Sequence, residues 1–284
     1  MTAPHPFLRS MFAVCLAGQI LASTARADDW PQWLGPKRDG VWREDGVLDK
    51  FPTGGAKILW RTPIGSGYAG PAVAGGRVYV TDRVLKPGSR NPTNGFTRSN
   101  LAGSERVLCL DESSGQIVWH HEYDCEYRID YPAGPRATPI VAGGKVYTLG
   151  AMGDLLCLNA ESGKPIWSHN FMTEYGANQQ TWGFSAHPLL DGDRLICIVG
   201  GDGTVAVAFH KDTGKELWRN LSAAQAGYCP PVIYQVGATR QLIIWHAEAV
   251  SGLEPETGKK LWQVEFPVKN ALNVPMPRYD DGKL

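Results

Sequence analysis

Residues 137–167 carry Ala137-Thr138-Pro139-Ile140-Val141, then Gly143-Gly144, Lys145-Val146-Tyr147-Thr148-Leu149 and Met152-Gly153-Asp154. Leu155-Leu156-Cys157-Leu158, Glu161-Ser162-Gly163-Lys164 and Pro165-Ile166-Trp167 complete the stretch. It holds four short apolar runs separated by glycine-bearing turns. Runs of this length rich in Val, Tyr and Leu suit strands, and Gly-Gly and Gly-Asp suit tight hairpins. The stretch therefore reads as one four-stranded antiparallel sheet.

The same order recurs along the chain. Gly followed four residues later by Trp occurs as Gly115…Trp119, Gly163…Trp167, Gly214…Trp218 and Gly258…Trp262, with successive tryptophans 48, 51 and 44 residues apart. Trp60 lies 59 residues before Trp119, and a polar insertion accounts for the excess. A four-stranded unit repeating at this period is the signature of a propeller blade. One such sheet cannot bury both faces alone. Stacking blades around an axis buries them, and Trp60, Trp119, Trp167, Trp218 and Trp262 each offer a large apolar plate for the contact. The fold class is all-β, a β-propeller with four full blades.

Within these units Gly-x-Val-Tyr-Val … Leu-Cys-Leu-Asp-x-x-(Ser/Thr)-Gly-x-x-x-Trp resembles the PQQ-type repeat, as Gly76–Trp119 and Gly144–Trp167, and more loosely as Gly192–Trp218 and Gly237–Trp262. Proteins with this repeat include quinoprotein alcohol dehydrogenases and the propeller lipoprotein of the outer-membrane barrel-assembly machine. The opening Asp29-Trp30-Pro31-Gln32-Trp33-Leu34-Gly35-Pro36 is similar to that of exported PQQ-like propellers. The resemblance implies a ring of seven or eight blades. Lys57–Ile64 reads as a lone outermost strand and Ala271–Pro277 as the opening of a fifth blade, so the expectation is an incomplete ring within residues 28–284.

Charge is balanced, 28 basic residues against 28 acidic. Such a chain has no electrostatic reason to bind nucleic acid. His5 and Arg9, the apolar run Met11–Ala22 and then Ala25-Arg26-Ala27 read as a signal peptide over residues 1–27, cleaved after Ala27. The apolar run is too short to span a bilayer, so no transmembrane segment is expected. The expected location is the periplasm or outside. The five cysteines after the leader sit in contexts such as Leu108-Cys109-Leu110 and read as small hydrophobes in strands.

The loops joining one blade to the next are longer and richer than the hairpin turns, and variable loops on a rigid scaffold usually carry function. Arg136, Trp182, His187 and Tyr228 lie in these crossovers. Asp82, Arg83, His246 and Glu248 lie at connections on the same face. These eight are the candidate ligand-binding residues, for a protein, peptide or saccharide of the cell envelope; the other reading is that they fix crossover shape. His187 adds the expectation of pH-dependent binding near neutrality.

Gly65-Ser66-Gly67-Tyr68-Ala69-Gly70 matches a dinucleotide fingerprint, but Pro71 and a strand follow where a helix is needed. The resemblance to quinoprotein dehydrogenases implies PQQ and calcium, held by adjacent cysteines and a carboxylate-amide set. This chain has no Cys-Cys dipeptide. A non-catalytic binding scaffold therefore leads, with a PQQ-dependent oxidoreductase as the alternative, and no catalytic or metal residue is assigned.

Overall fold

The computed structural model describes residues 28–46 and 48–284. The proposed signal peptide lies outside the described residues. The chain forms four four-stranded antiparallel sheets, each in sequence order. Blade 1 is β1 (Ala72–Ala74), β2 (Arg77–Leu85), β3 (Gly103–Asp111) and β4 (Ile117–Asp124). Blade 2 is β5 (Ile140–Ala142), β6 (Lys145–Leu149), β7 (Asp154–Asn159) and β8 (Pro165–Asn170), followed by a single helical turn, α1 (Phe171–Tyr175). Blade 3 is β9 (Leu189–Asp191), β10 (Arg194–Ile198), β11 (Ala206–His210) and β12 (Glu216–Asn220). Blade 4 is β13 (Val232–Val236), β14 (Thr239–Trp245), β15 (Ala249–Leu253) and β16 (Lys260–Glu265).

The core lies between sheets. The middle strands are buried on both faces, and the blade 2–blade 3 interface gathers Tyr147, Leu155, Cys157, Leu195, Cys197 and Phe209. The outer strands are half exposed, as edge strands of a propeller must be. All five described cysteines are free and buried.

One contact repeats from blade to blade. In the turn before each outer strand the chain closes an i→i+4 bond onto a left-handed glycine, as in Gly163 N to Asn159 O at 2.9 Å. The indole of the preceding blade lies on that glycine, so closely that a Cβ at Gly163 or Gly214 would overlap the ring of Trp119 or Trp167. The indole N–H then donates to the second carbonyl of the same turn. Trp119 bonds Ala160 O at 3.0 Å, Trp167 bonds Lys211 O at 2.9 Å, and Trp218 bonds Pro255 O at 3.1 Å. Within its own sheet each Trp pairs with a small residue: Cys109, Cys157, Ala208 or Gly252. That is why cysteine recurs in these strands: the ring needs a small neighbour.

Trp60 belongs to no sheet among the described residues, yet it docks the same way. Its N–H bonds Glu112 O at 2.8 Å and its ring covers Gly115. Trp262 is the exception at the other end. Its N–H turns back to Gln241 Oε1 of its own blade at 2.6 Å. Beyond blade 4 the chain returns past β13, where Tyr234 Oη donates to Pro277 O at 2.7 Å. Asp280 and Lys283 then pair around Asp281-Gly282, both with positive φ. This matches the Gly75-Gly76 hairpin of blade 1.

Truncating Trp167 to alanine removes a plate packed against two blades. The expected cost is about 3–5 kcal/mol in a urea unfolding titration. Trp167→Phe keeps most of the plate and loses the N–H bond, so about 1 kcal/mol is expected. Equal losses for the two would mean the ring is not what holds the blades.

Candidate functional site

The crossovers meet on one face and are tied to each other by backbone bonds. Tyr68 N and Ala69 N both donate to Pro135 O, at 2.8 and 3.1 Å, joining the first crossover to the second. Asp130 N donates to Thr181 O at 2.9 Å, joining the second to the third. The glycines of residues 65–70 serve this packing. A Cβ on Gly65 would overlap Arg83 O, and one on Gly67 would press Thr81 O at 3.1 Å.

Arg136, Trp182 and Tyr228 come together here. Arg136 donates to Gly134 O at 2.5 Å, to Asp130 O at 3.0 Å and to Tyr131 O at 2.5 Å, and its guanidinium lies 5.0 Å from the Tyr68 ring centre. Burial lowers its pKa, against the opposing pull of Tyr127, Tyr68, Glu105 and Tyr228. Trp182 meets Tyr228 edge to face at 5.5 Å, and its backbone N–H donates to Tyr228 Oη at 3.3 Å.

The other candidates fall elsewhere. Asp82 and Arg83 are buried beneath the face. Asp82 takes two bonds from Arg106, at 2.8 and 2.6 Å, and one from Gly65 N at 2.5 Å. Arg83 donates to Leu101 O at 2.6 Å and Pro132 O at 3.2 Å and lies 3.8 Å from the Tyr127 ring centre. Both hold crossovers in place. His246 is buried, with a pKa lowered by burial. Glu248 is exposed at a polar hollow of about 420 Å³ between blades 3 and 4, where it accepts from Ala224 N at 2.8 Å.

His187 stacks on Trp33 at 4.5 Å and is half-buried. Burial first, then the nearby Arg38, lowers its pKa to about 3. The expectation of titration near neutrality is thus corrected: the imidazole is neutral throughout the physiological range because its charged form is desolvated and repelled.

The sequence reading missed three exposed aromatics on this face: Tyr68 (52% exposed), Phe96 (61%) and Tyr131 (41%). Phe96 comes from the insertion at residues 86–102 and meets Tyr131 edge-on at 5.0 Å. Tyr131 holds a left-handed backbone, φ 50, with its N–H on Gly95 O at 2.6 Å. Arg98 pins the insertion to the crossover through Asp130 at 2.7 Å. Beneath lies Glu105, which accepts from Tyr123, Tyr127 and Ala151 N. Burial raises its pKa and that of neighbouring Asp154.

A profile of the family described as outer membrane protein assembly factor BamB matches residues 103–281. The chain belongs to this family. No curated protein matches it. Among solved structures similar to this BamB-family chain is the quinohemoprotein alcohol dehydrogenase of Comamonas testosteroni, at 17% identity over 86% of this chain and 42% of that one, TM-score 0.55. BamB of Moraxella catarrhalis matches at 19% identity over 72% and 51%, TM-score 0.45. A europium-containing methanol dehydrogenase matches at 15% over 73% and 43%, TM-score 0.47. The chain thus spans about half or less of each. At these identities the likeness shows the fold alone, a PQQ-type propeller. No described helix is long and apolar enough to cross a membrane.

The pKa of His187 gives a pH prediction. In the unfolded chain its imidazole titrates near 6.5, in the native state near 3. The unfolded state therefore binds the proton first as pH falls. The stabilising effect is complete above pH 6.5 and is lost progressively down to pH 3. His187→Phe is expected to flatten the fall in melting temperature between pH 6.5 and 4 relative to wild type. Parallel profiles for the two proteins would contradict the burial of a neutral ring.

Proposed function

We propose that this protein is a non-catalytic binding scaffold of the cell envelope, whose crossover face takes a protein, peptide or saccharide. The observation that carries the reading is the aromatic group on that face. Tyr68, Phe96 and Tyr131 are exposed while the parts beneath them are fixed by buried bonds. Exposed aromatics on a rigid support give flat apolar contact at low entropic cost. The strained backbone of Tyr131 is a further mark of a functional position. The family description names an assembly factor of outer membrane proteins, which favours a protein partner.

Export with cleavage after Ala27 belongs to the same reading, as does docking of a further blade beyond blade 4. Trp245, Trp262, Val264 and Phe266 line an apolar groove of about 480 Å³ there, closed on one side by Pro275 and Pro277. It lies where the next blade would seat Trp262 as blades 2 to 4 seat Trp119, Trp167 and Trp218.

The alternative is a PQQ-dependent oxidoreductase, favoured by the fold shared with the Comamonas enzyme. The residues present do not fit that chemistry. The described cysteines lie apart in separate strands and crossovers, so no pair can close a ring against a quinone. Among the described residues no group of three or more His, Cys, Asp or Glu side chains is placed to hold a metal ion.

The test is capture of envelope proteins and glycans by immobilised protein, with Tyr68→Ala and Trp182→Ala beside wild type. Capture is expected to fall by about tenfold or more, as for loss of an aromatic anchor, with the melting temperature within about 3 °C of wild type. Unchanged capture would refute the assignment of the face. Thermal stabilisation by PQQ with Ca²⁺, accompanied by dye-linked alcohol oxidation, would establish the alternative.

A further inference from the structure

Residues 29–40 are not part of any blade, yet they cross all four. Asp29 receives the Gly75 N–H of the blade 1 hairpin at 3.2 Å. Trp30 pairs with Val73 on the free edge of β1, its N–H and C=O bonding at 2.8 and 2.9 Å. Pro31 O accepts from Val141 N of β5 at 2.8 Å. The segment then folds through successive turns, with Leu34, Gly35 and Arg38 all at positive φ. Gly35 closes against the face of Trp30, where a Cβ would stand 2.9 Å from the ring. Trp33 stacks on His187 of blade 3. Arg38, 8% exposed, donates to Pro188 O at 2.8 Å and to Pro231 O at 3.4 Å, the residues that open the innermost strands of blades 3 and 4.

These contacts have the form of ligand recognition. One edge strand offers backbone bonds, one ring offers a stacking surface, and two carbonyls offer a fork to a guanidinium. The segment has backbone strain that only its bound surroundings repay. It is joined to the rest of the chain by residues 44–57, whose described residues are exposed apart from half-buried Glu44 and form no strand or helix. β1 runs beside β5, and the arm lies against the inner strands of both, bonded to Val73 and Val141.

We propose that the convergence of the inner strands is a peptide-binding site, held in cis by residues 29–40. Its ligand class is a short peptide with an aromatic residue followed by proline, a left-handed Leu-Gly turn and an arginine eight residues after the first aromatic. The site is separate from the crossover aromatics and stands whether or not those bind a partner.

The experiment uses the full chain with a protease site inserted between Gly54 and Gly55, cut after folding. The probe is a labelled synthetic peptide of residues 28–43. The arm is expected to co-elute with the body in gel filtration after the cut and to exchange for the labelled peptide at excess. A peptide carrying Trp33→Ala and Arg38→Ala is expected to compete about tenfold or more less well, since charge-assisted bonds and a ring contact are lost. The proposal is overturned if the arm leaves at once while the body keeps its melting transition. It is equally overturned if the body unfolds as the arm leaves, if no exchange occurs over days, or if the substituted peptide competes as well as the natural one.

Discussion

Everything in this chain depends on an indole seated on a left-handed glycine of the next sheet. A single four-stranded sheet with two apolar faces gains nothing by folding alone. The Trp ring covers one such face, the glycine lets it approach, and the indole N–H donates to a carbonyl of the same turn. The seat also fixes register between blades. It joins a point on one outer strand to a point in one turn, so each blade has a single place to sit.

This regularity made the fold legible. Gly163 and Trp167 stand at a fixed spacing within each unit, and strand alternation fills the rest. What the sequence hid is that the two residues act in different contacts: Gly163 seats Trp119 of the blade before, while Trp167 sits on Gly214 of the blade after. Cys109 and Cys157 could be read as small hydrophobes, but their reason is the ring each one faces.

The candidate site was legible only in part. Arg136, Trp182 and Tyr228 do gather, because crossovers recur once per blade and the blades fan about one axis. Asp82 and Arg83 share their strand's position near that face, but the insertion at residues 86–102 and the crossover after blade 1 cover them. His187 was drawn away by Trp33, a residue more than 150 positions earlier, which no local pattern connects to it. Tyr131 and Phe96 come together only because two irregular loops pack, and irregular loops have no period to read.

The central claim is the coupling of ring to glycine, and a double-mutant cycle measures it directly. Gly163→Ala in the wild type must clear the Trp119 ring as well as bear a left-handed backbone. In a Trp119→Leu background the ring is gone and only the backbone cost of about 1–2 kcal/mol remains. The account therefore predicts that Gly163→Ala destabilises wild type by at least about 1 kcal/mol more than it destabilises Trp119→Leu, measured by urea unfolding of all four proteins. Additive effects within about 0.3 kcal/mol would contradict it.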